Sequence, residues 1–158
     1  MKEYRNSKGQ LHRVGGPAMI DDVGNRTWFR HGKVHRVGGP AIEYADGSKS
    51  WYQNGRCHRV DGPACDWSSG LKEWRQNGDL HRLDGPAVEY ENGDKFWFYN
   101  GQYHRLDGPA IEYPNGFRAW YINGKNITDE VNKWLAEHNI TLPLCGSDLS
   151  FFILKFAS

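Results

Sequence analysis

Imidazole, guanidinium and indole recur together along this chain at one interval. His12, His35, His58, His81 and His104 are each followed directly by Arg13, Arg36, Arg59, Arg82 and Arg105, and sixteen residues after each histidine stands a tryptophan, Trp28, Trp51, Trp74, Trp97 or Trp120. Histidine ligates transition metals and titrates near neutrality. Arginine presents a planar fork that fits carboxylate or phosphate. Tryptophan offers a face to a cation. For catalysis or metal binding such groups must converge on one point, whereas here the copies keep a spacing of 23 residues without a slip. A fixed period of this length marks a repeat architecture. Equivalent residues then form rows on a surface.

If each repeat is a hairpin, equivalent residues lie two strands apart, about 9–10 Å. Histidines at that separation cannot share one ion, since a Zn–N bond is about 2.0–2.1 Å. The histidine row therefore reads as packing. The arginine row has two readings. One is an ionic network with Glu43, Glu89, Glu112 or Asp66, or with Asp61, Asp84 and Asp107. The other is a set of forks that grip an acidic or phosphorylated partner. Repeats one and two carry Gly15 and Gly38 where later ones carry Asp61, Asp84 and Asp107, which predicts Arg13 and Arg36 as the least neutralised copies. There is no histidine beside a nucleophile at catalytic spacing, no phosphate loop and no metal-ligand cluster. The sequence thus reads as non-enzymatic and without a cofactor.

The elements that hold these rows follow from the turn residues. Asp46-Gly47 and Asn54-Gly55 flank the short run Lys49–Gln53, and Asn77-Gly78, Asn92-Gly93, Asn100-Gly101, Asn115-Gly116 and Asn123-Gly124 repeat the signal. Such pairs favour hairpin turns because glycine, and to a lesser degree Asn and Asp, accept positive φ. The expected fold is an all-β repeat: an elongated single-layer antiparallel sheet of stacked β-hairpins with a short C-terminal helix-plus-strand cap. A two-residue turn at Asp46-Gly47 would pair Tyr44 with Lys49 and Ile42 with Trp51. The tryptophans would then form the core row, and Lys49 would lie against Tyr44 in a cation–π contact. A three-residue loop would shift this register by one. A two-residue turn at Asn54-Gly55 sets His58 opposite Trp51.

The array spans residues 1–126 and the cap 127–158. Tyr4 to Leu11 reads as a degenerate half-repeat. In the cap, Thr128 is the expected N-cap of a helix carrying Val131, Trp134, Leu135 and His138 on one face and stopping at Asn139. Leu149 to Phe156 reads as a strand, with Phe151, Phe152 and Leu154 as an alternative dimer contact.

Lys+Arg of 20 against Asp+Glu of 19 leaves a formal charge of +1. That balance disfavours a nucleic-acid partner, which usually requires a basic excess. The start of the chain shows no apolar signal segment, and the longest apolar run is too short for a bilayer, so a membrane partner is not expected. Three cysteines of irregular spacing suit free thiols in a reducing, cytoplasmic setting. Cys57 and Cys65 occupy positions that are apolar or aromatic in other repeats and read as small packers.

The pattern Trp-Tyr-x-Asn-Gly-x-x-His-Arg-x-Asp-Gly-Pro-Ala-x-Glu-Tyr-x-Asn-Gly resembles the MORN repeat, over residues 12–126. It is similar to antitoxin-type bacterial variants and to phage-encoded His-Arg-x-Asp-Gly-Pro-Ala repeat proteins. The resemblance implies stacked hairpins with an aromatic-lined face that binds protein, and an inhibitor of a host enzyme or defence protein as the form of action. Two departures stand out. Arginine replaces the glycine after histidine, and Pro17, Pro40, Pro63, Pro86 and Pro109 enter the next glycine region, so lipid binding does not carry over.

The first functional reading is therefore a protein-interaction module with Arg13, Arg36, Arg59, Trp28, Trp51, Tyr44 and Tyr52 as partner-binding residues. The second is a sequestering protein for a nucleotide or other small anion. The third is a structural homo-oligomer through the sheet edge or the C-terminal strand.

Overall fold

The computed structural model describes residues 1–157. The chain forms two compact units, Met1–Asp79 and Leu80–Ser158. Both are open antiparallel sheets of short hairpin strands, and the second ends in two helices. In the first unit the strands Lys2–Glu3, Met19–Ile20, Arg26–Thr27, Ile42–Glu43, Lys49–Ser50, Cys65–Asp66 and Lys72–Glu73 pair in that order. In the second the order is Val88–Glu89, Lys95–Phe96, Ile111–Glu112 and Arg118–Ala119.

The two turns of each repeat differ. Asn54 and Gly55 take φ values of 53° and 85°, and the hairpin pairs Tyr52 with Cys57 and Gln53 with Arg56. Both turn residues have positive φ, the type I′ condition. His58 N–H then donates to the Trp51 carbonyl at 2.9 Å, as the spacing predicts. His31 takes the asparagine place in the first repeat, with φ 52°.

At Asp46-Gly47 only Gly47 has positive φ, at 90°. Tyr44 N–H donates to the Ser48 carbonyl and Gly47 N–H to the Tyr44 carbonyl, so the loop has three residues. Asp46 accepts the Ser48 N–H on Oδ1 at 2.9 Å, which holds Asp46 itself at ordinary φ. The register consequently shifts by one from the two-residue expectation. Ile42 faces Ser50, and Lys49 faces Glu43, not Tyr44. The Lys49–Tyr44 cation–π pairing is replaced by a ladder of alternating charge: Arg26, Glu43, Lys49, Asp66 and Lys72 in the first unit, Glu89, Lys95, Glu112 and Arg118 in the second. Opposite charges directly across a pair stabilise it.

The core row is also not tryptophan. Ala18, Ala41, Ala64, Ala87 and Ala110, which close each His-Arg-x-x-Gly-Pro-Ala segment, have no exposed surface. Trp28, Trp51 and Trp97 are only half-buried, and Trp120 alone among these is fully covered. A single layer offers no room to enclose an indole in mid-sheet, whereas an alanine fits beneath the adjacent strand. Cys57 and Cys65 do pack as small buried residues, with sulfurs 3.2 Å apart.

Helix α1 (Thr128–His138) and helix α2 (Gly146–Phe156) form the cap. Val131 and Trp134 of α1 and Phe152 of α2 pack on Trp120, Ile122 and Ile127, which gives the second unit a cluster of large buried side chains. Asn139 ends α1 in the left-handed region, as expected. Thr128 does not cap it. Asn126 Oδ1 accepts the Thr128 N–H, and Thr128 Oγ1 accepts the Trp120 N–H. The strand expected over Leu149 to Phe156 is helical. Leu149, Phe152 and Phe156, at spacings of three and four, meet the cluster on one helical face. Among the described residues no helix is long and apolar enough to cross a membrane.

Candidate functional site

Each arginine of the His-Arg-x-x-Gly-Pro-Ala segment is folded back over its own turn. Its Nη1 donates to the proline carbonyl four residues on: Arg13 to Pro17, Arg36 to Pro40, Arg59 to Pro63, Arg82 to Pro86 and Arg105 to Pro109. The guanidinium of Arg13 lies 4.0 Å over the Tyr4 ring, and those of Arg36, Arg59 and Arg105 lie 3.9, 4.2 and 4.0 Å over Trp28, Trp51 and Trp97. Tyr4 thus takes the tryptophan place in the N-terminal half-repeat. On its other side the guanidinium touches the segment's glycine. A Cβ on Gly16, Gly39, Gly62, Gly85 or Gly108 would stand 2.7–3.0 Å from it. The Gly-Pro-Ala triplet is explained in full: glycine admits the arginine, proline supplies the carbonyl, alanine fills the core.

Carboxylates then neutralise the later copies. Arg59 bonds Asp61, and Arg82 and Arg105 bond Asp84 with Glu89 and Asp107 with Glu112. The adjoining guanidinium holds the Asp61 and Asp84 carboxyls below their ordinary range. Arg36 lacks the first partner, at Gly38, but bonds Glu43 at 2.8 Å, so the expectation that it is poorly neutralised is corrected. Arg13 lacks both, because Gly15 and Ile20 stand at the two carboxylate positions. It makes no ion pair among the described residues, and it is exposed.

The histidines serve the turns. Nδ1 of His12, His35, His58 and His104 accepts the backbone N–H of residue 31, 54, 77 and 123 respectively, at 3.0–3.1 Å. His81 Nδ1 meets both the amide and the side chain of Asn100. Each imidazole therefore secures the type I′ turn one repeat further along. No group of three metal-ligating side chains exists among the described residues.

Of the sequence-derived partner residues, Arg13, Arg36 and Arg59 share their setting with Trp28 and Trp51. Tyr44 and Tyr52 do not. Strand alternation puts Tyr44 opposite in sense to Glu43, the Arg36 partner, and its ring meets Trp67 at 5.5 Å. Tyr52 packs on Cys57 and Cys65, and burial pushes its phenol above the ordinary range.

One set of residues escaped the sequence reading. The aliphatic residue after each arginine is exposed: Val14 by 87%, Val37 and Val60 by 76%, Leu83 by 81% and Leu106 by 39%. The signal was present, since this place is Val or Leu in every copy although it belongs to a turn. No family model matches the chain, and no curated protein matches it.

Proposed function

We propose that this chain is a non-enzymatic protein-interaction module whose partner seats on the exposed aliphatic turn residues and the arginines beside them. The observation that carries this reading is the exposure of Val14, Val37, Val60 and Leu83. Full burial of one such side chain stabilises by roughly 1.5–3 kcal/mol, and the fold itself collects almost none of it here. A repeated apolar residue on a polar turn gains its burial in a complex. In the first unit the turns of Val14 and Val37 carry Gly15 and Gly38 in place of aspartate, and Arg36 is paired with Glu43 while Arg13 is not. The fitting surface therefore has apolar hollows about 9–10 Å apart and acidic groups facing repeat one. The resemblance to antitoxin-type and phage-encoded repeat proteins makes inhibition of an enzyme the action to assay on that partner.

The test is site-specific photocrosslinking in the native host with the probe at Val37 or Val60, against a probe at Lys72. A discrete crosslinked protein from the valine positions, lost when the aliphatic turn residues that do not carry the probe are changed to aspartate (Val14→Asp with Val60→Asp for the probe at Val37), supports the reading. Equal recovery with that variant overturns the proposed face. A crosslink only to a second copy of this chain, matched by dimeric light scattering, replaces the foreign partner with self-association.

A further inference from the structure

The first repeat departs from the others at Ile20, Arg30 and His31, shares with the second a glycine (Gly15, Gly38) in place of aspartate, and these features act on one cleft. Arg30 stands where later repeats have Gln53, Gln76, Tyr99 and Ile122. It pairs across the hairpin with Lys33, a like charge directly opposite, which is unfavourable without a counter-charge. Gly15 and Ile20 leave Arg13 without its carboxylates. His31 stacks on His12 with ring centroids 4.5 Å apart.

Arg13, Arg30, Arg36, His12, His31 and Trp28 all line a single open cleft of about 640 Å³. Among the described residues no carboxylate lines it. The corresponding clefts of the later repeats contain Asp61, or Asp84 with Asp107. His35 lines the first cleft too. Its Nδ1 accepts the Asn54 N–H, leaving Nε2 as a donor that has no hydrogen-bond partner among the described residues.

We infer that this cleft binds a phosphate monoester attached to a planar or apolar body. Two guanidinium groups without an ion pair among the described residues, Arg13 and Arg30, match a charge of about −1.5 to −2. Arg36 is already held by Glu43 and serves to position. A volume of 640 Å³ lies within the range of small-molecule pockets, about 300–1,000 Å³, and exceeds what inorganic phosphate fills. Trp28 and Phe29 supply the wall for the attached body. The monoester reaches the cleft either as a free nucleotide or on a phosphorylated side chain. Val14 and Val37 of the aliphatic turns also line this cleft, whereas Val60 does not, so Val60→Asp alters the aliphatic surface while leaving the cleft intact and separates the two readings.

Calorimetric titration at low ionic strength tests it with phenyl phosphate, AMP, a phosphotyrosyl peptide and inorganic phosphate. Two substitutions return the first repeat toward the others. Arg30→Gln restores the residue of repeats two and three. Ile20→Glu gives Arg13 a carboxylate and places it in the charge ladder between Lys2 and Arg26. The expected result is binding of phenyl phosphate that either substitution weakens by about tenfold or more, with weaker binding of inorganic phosphate. Lys72→Gln, outside the cleft, leaves it unchanged. Tighter binding of AMP than of the peptide assigns a free nucleotide, and the reverse order a partner-borne phosphate. Absence of binding by all four probes at millimolar concentration overturns the inference. So does binding that Arg30→Gln and Ile20→Glu leave intact while both proteins melt as folded.

Discussion

The guanidinium carbon of Arg105 sits 2.7 Å from the point that a Cβ on Gly108 would occupy. Real Cβ atoms do not approach so closely, and Arg105 is not free to yield. It is held by Trp97, Pro109, Asp107 and Glu112. Gly108→Ala is therefore expected to destabilise the second unit by about 1–3 kcal/mol, the usual range for overpacking. Gly16→Ala should cost less, because the clearance to Arg13 is 3.0 Å and Arg13 has no carboxylate to lose. A double-mutant cycle of Gly108→Ala with Arg105→Ala in denaturant unfolding checks the mechanism. The second substitution should recover part of the loss due to the first.

His104 makes a second, pH-dependent prediction. Burial holds its imidazole below the ordinary value of 6.5, and its neutral Nδ1 accepts the Asn123 N–H at 3.1 Å. The unfolded chain thus binds the proton more readily than the folded one. The stabilisation is fully present above pH 6.5 and is lost as pH falls through the lower folded value. Thermal melts between pH 8 and 5 should show wild type losing stability on the acid side. His104→Gln should start lower and lose less across the same range.

The sequence made some of this visible and hid the rest for definite reasons. The turn at Asn54-Gly55 was legible because two positive-φ residues admit one hairpin geometry. The turn at Asp46-Gly47 was not, since Asp-Gly also closes a three-residue loop, and the choice moved the whole charge ladder by one residue. Trp28 and Trp51 read as core because indoles are large and apolar. In a single layer the buried place goes to Ala41, and the indole becomes a floor for Arg36 or Arg59. Exposure of Arg13 was legible from Gly15. Glu43 was among the ionic partners that the sequence offered to the arginine row, but the glycine at 38 masked that it suffices to neutralise Arg36.

Val37 and Ala41 give a paired prediction that separates surface from core within one repeat. Val37 is 76% exposed and Ala41 is fully covered. Val37→Ser should change unfolding free energy by no more than about 0.5 kcal/mol, as for ordinary surface positions. Ala41→Leu should cost about 1–3 kcal/mol through overpacking. Denaturant midpoints of the two variants decide it. A large loss in Val37→Ser would assign the aliphatic turns to the fold and remove them as a binding surface.

The thiols report on packing without any substitution. Cys145 is exposed, whereas Cys57 and Cys65 are 8% and 5% exposed. The neighbouring Cys65 sulfur and burial together push the Cys57 thiol above its ordinary range. A thiol-specific disulfide reagent at pH 8 should consume one thiol quickly in the folded protein and the other two only with unfolding. Attack requires the thiolate and access to it. Fast labelling of all three under native conditions would contradict the buried Cys57–Cys65 pair.

Phe152 distinguishes the helix from the strand that the apolar run first suggested. A strand would place Phe151, Ile153 and Lys155 on one face and Phe152, Leu154 and Phe156 on the other. The helix instead covers Phe152 completely, leaves Phe151 and Leu154 exposed by 64% and 70%, and brings Phe152 to 5.1 Å from Trp120, centroid to centroid. Leu154→Ser and Phe151→Ser should then be nearly silent, while Phe152→Ala should cost about 3–5 kcal/mol, as for a buried aromatic. The same contact ties α2 to the last repeat, so the Phe152→Ala loss should appear in the unfolding of the second unit and be smaller when Trp120 is already truncated. If Leu154→Ser proves as damaging as Phe152→Ala, the alternation of a strand describes this segment better than the period of a helix.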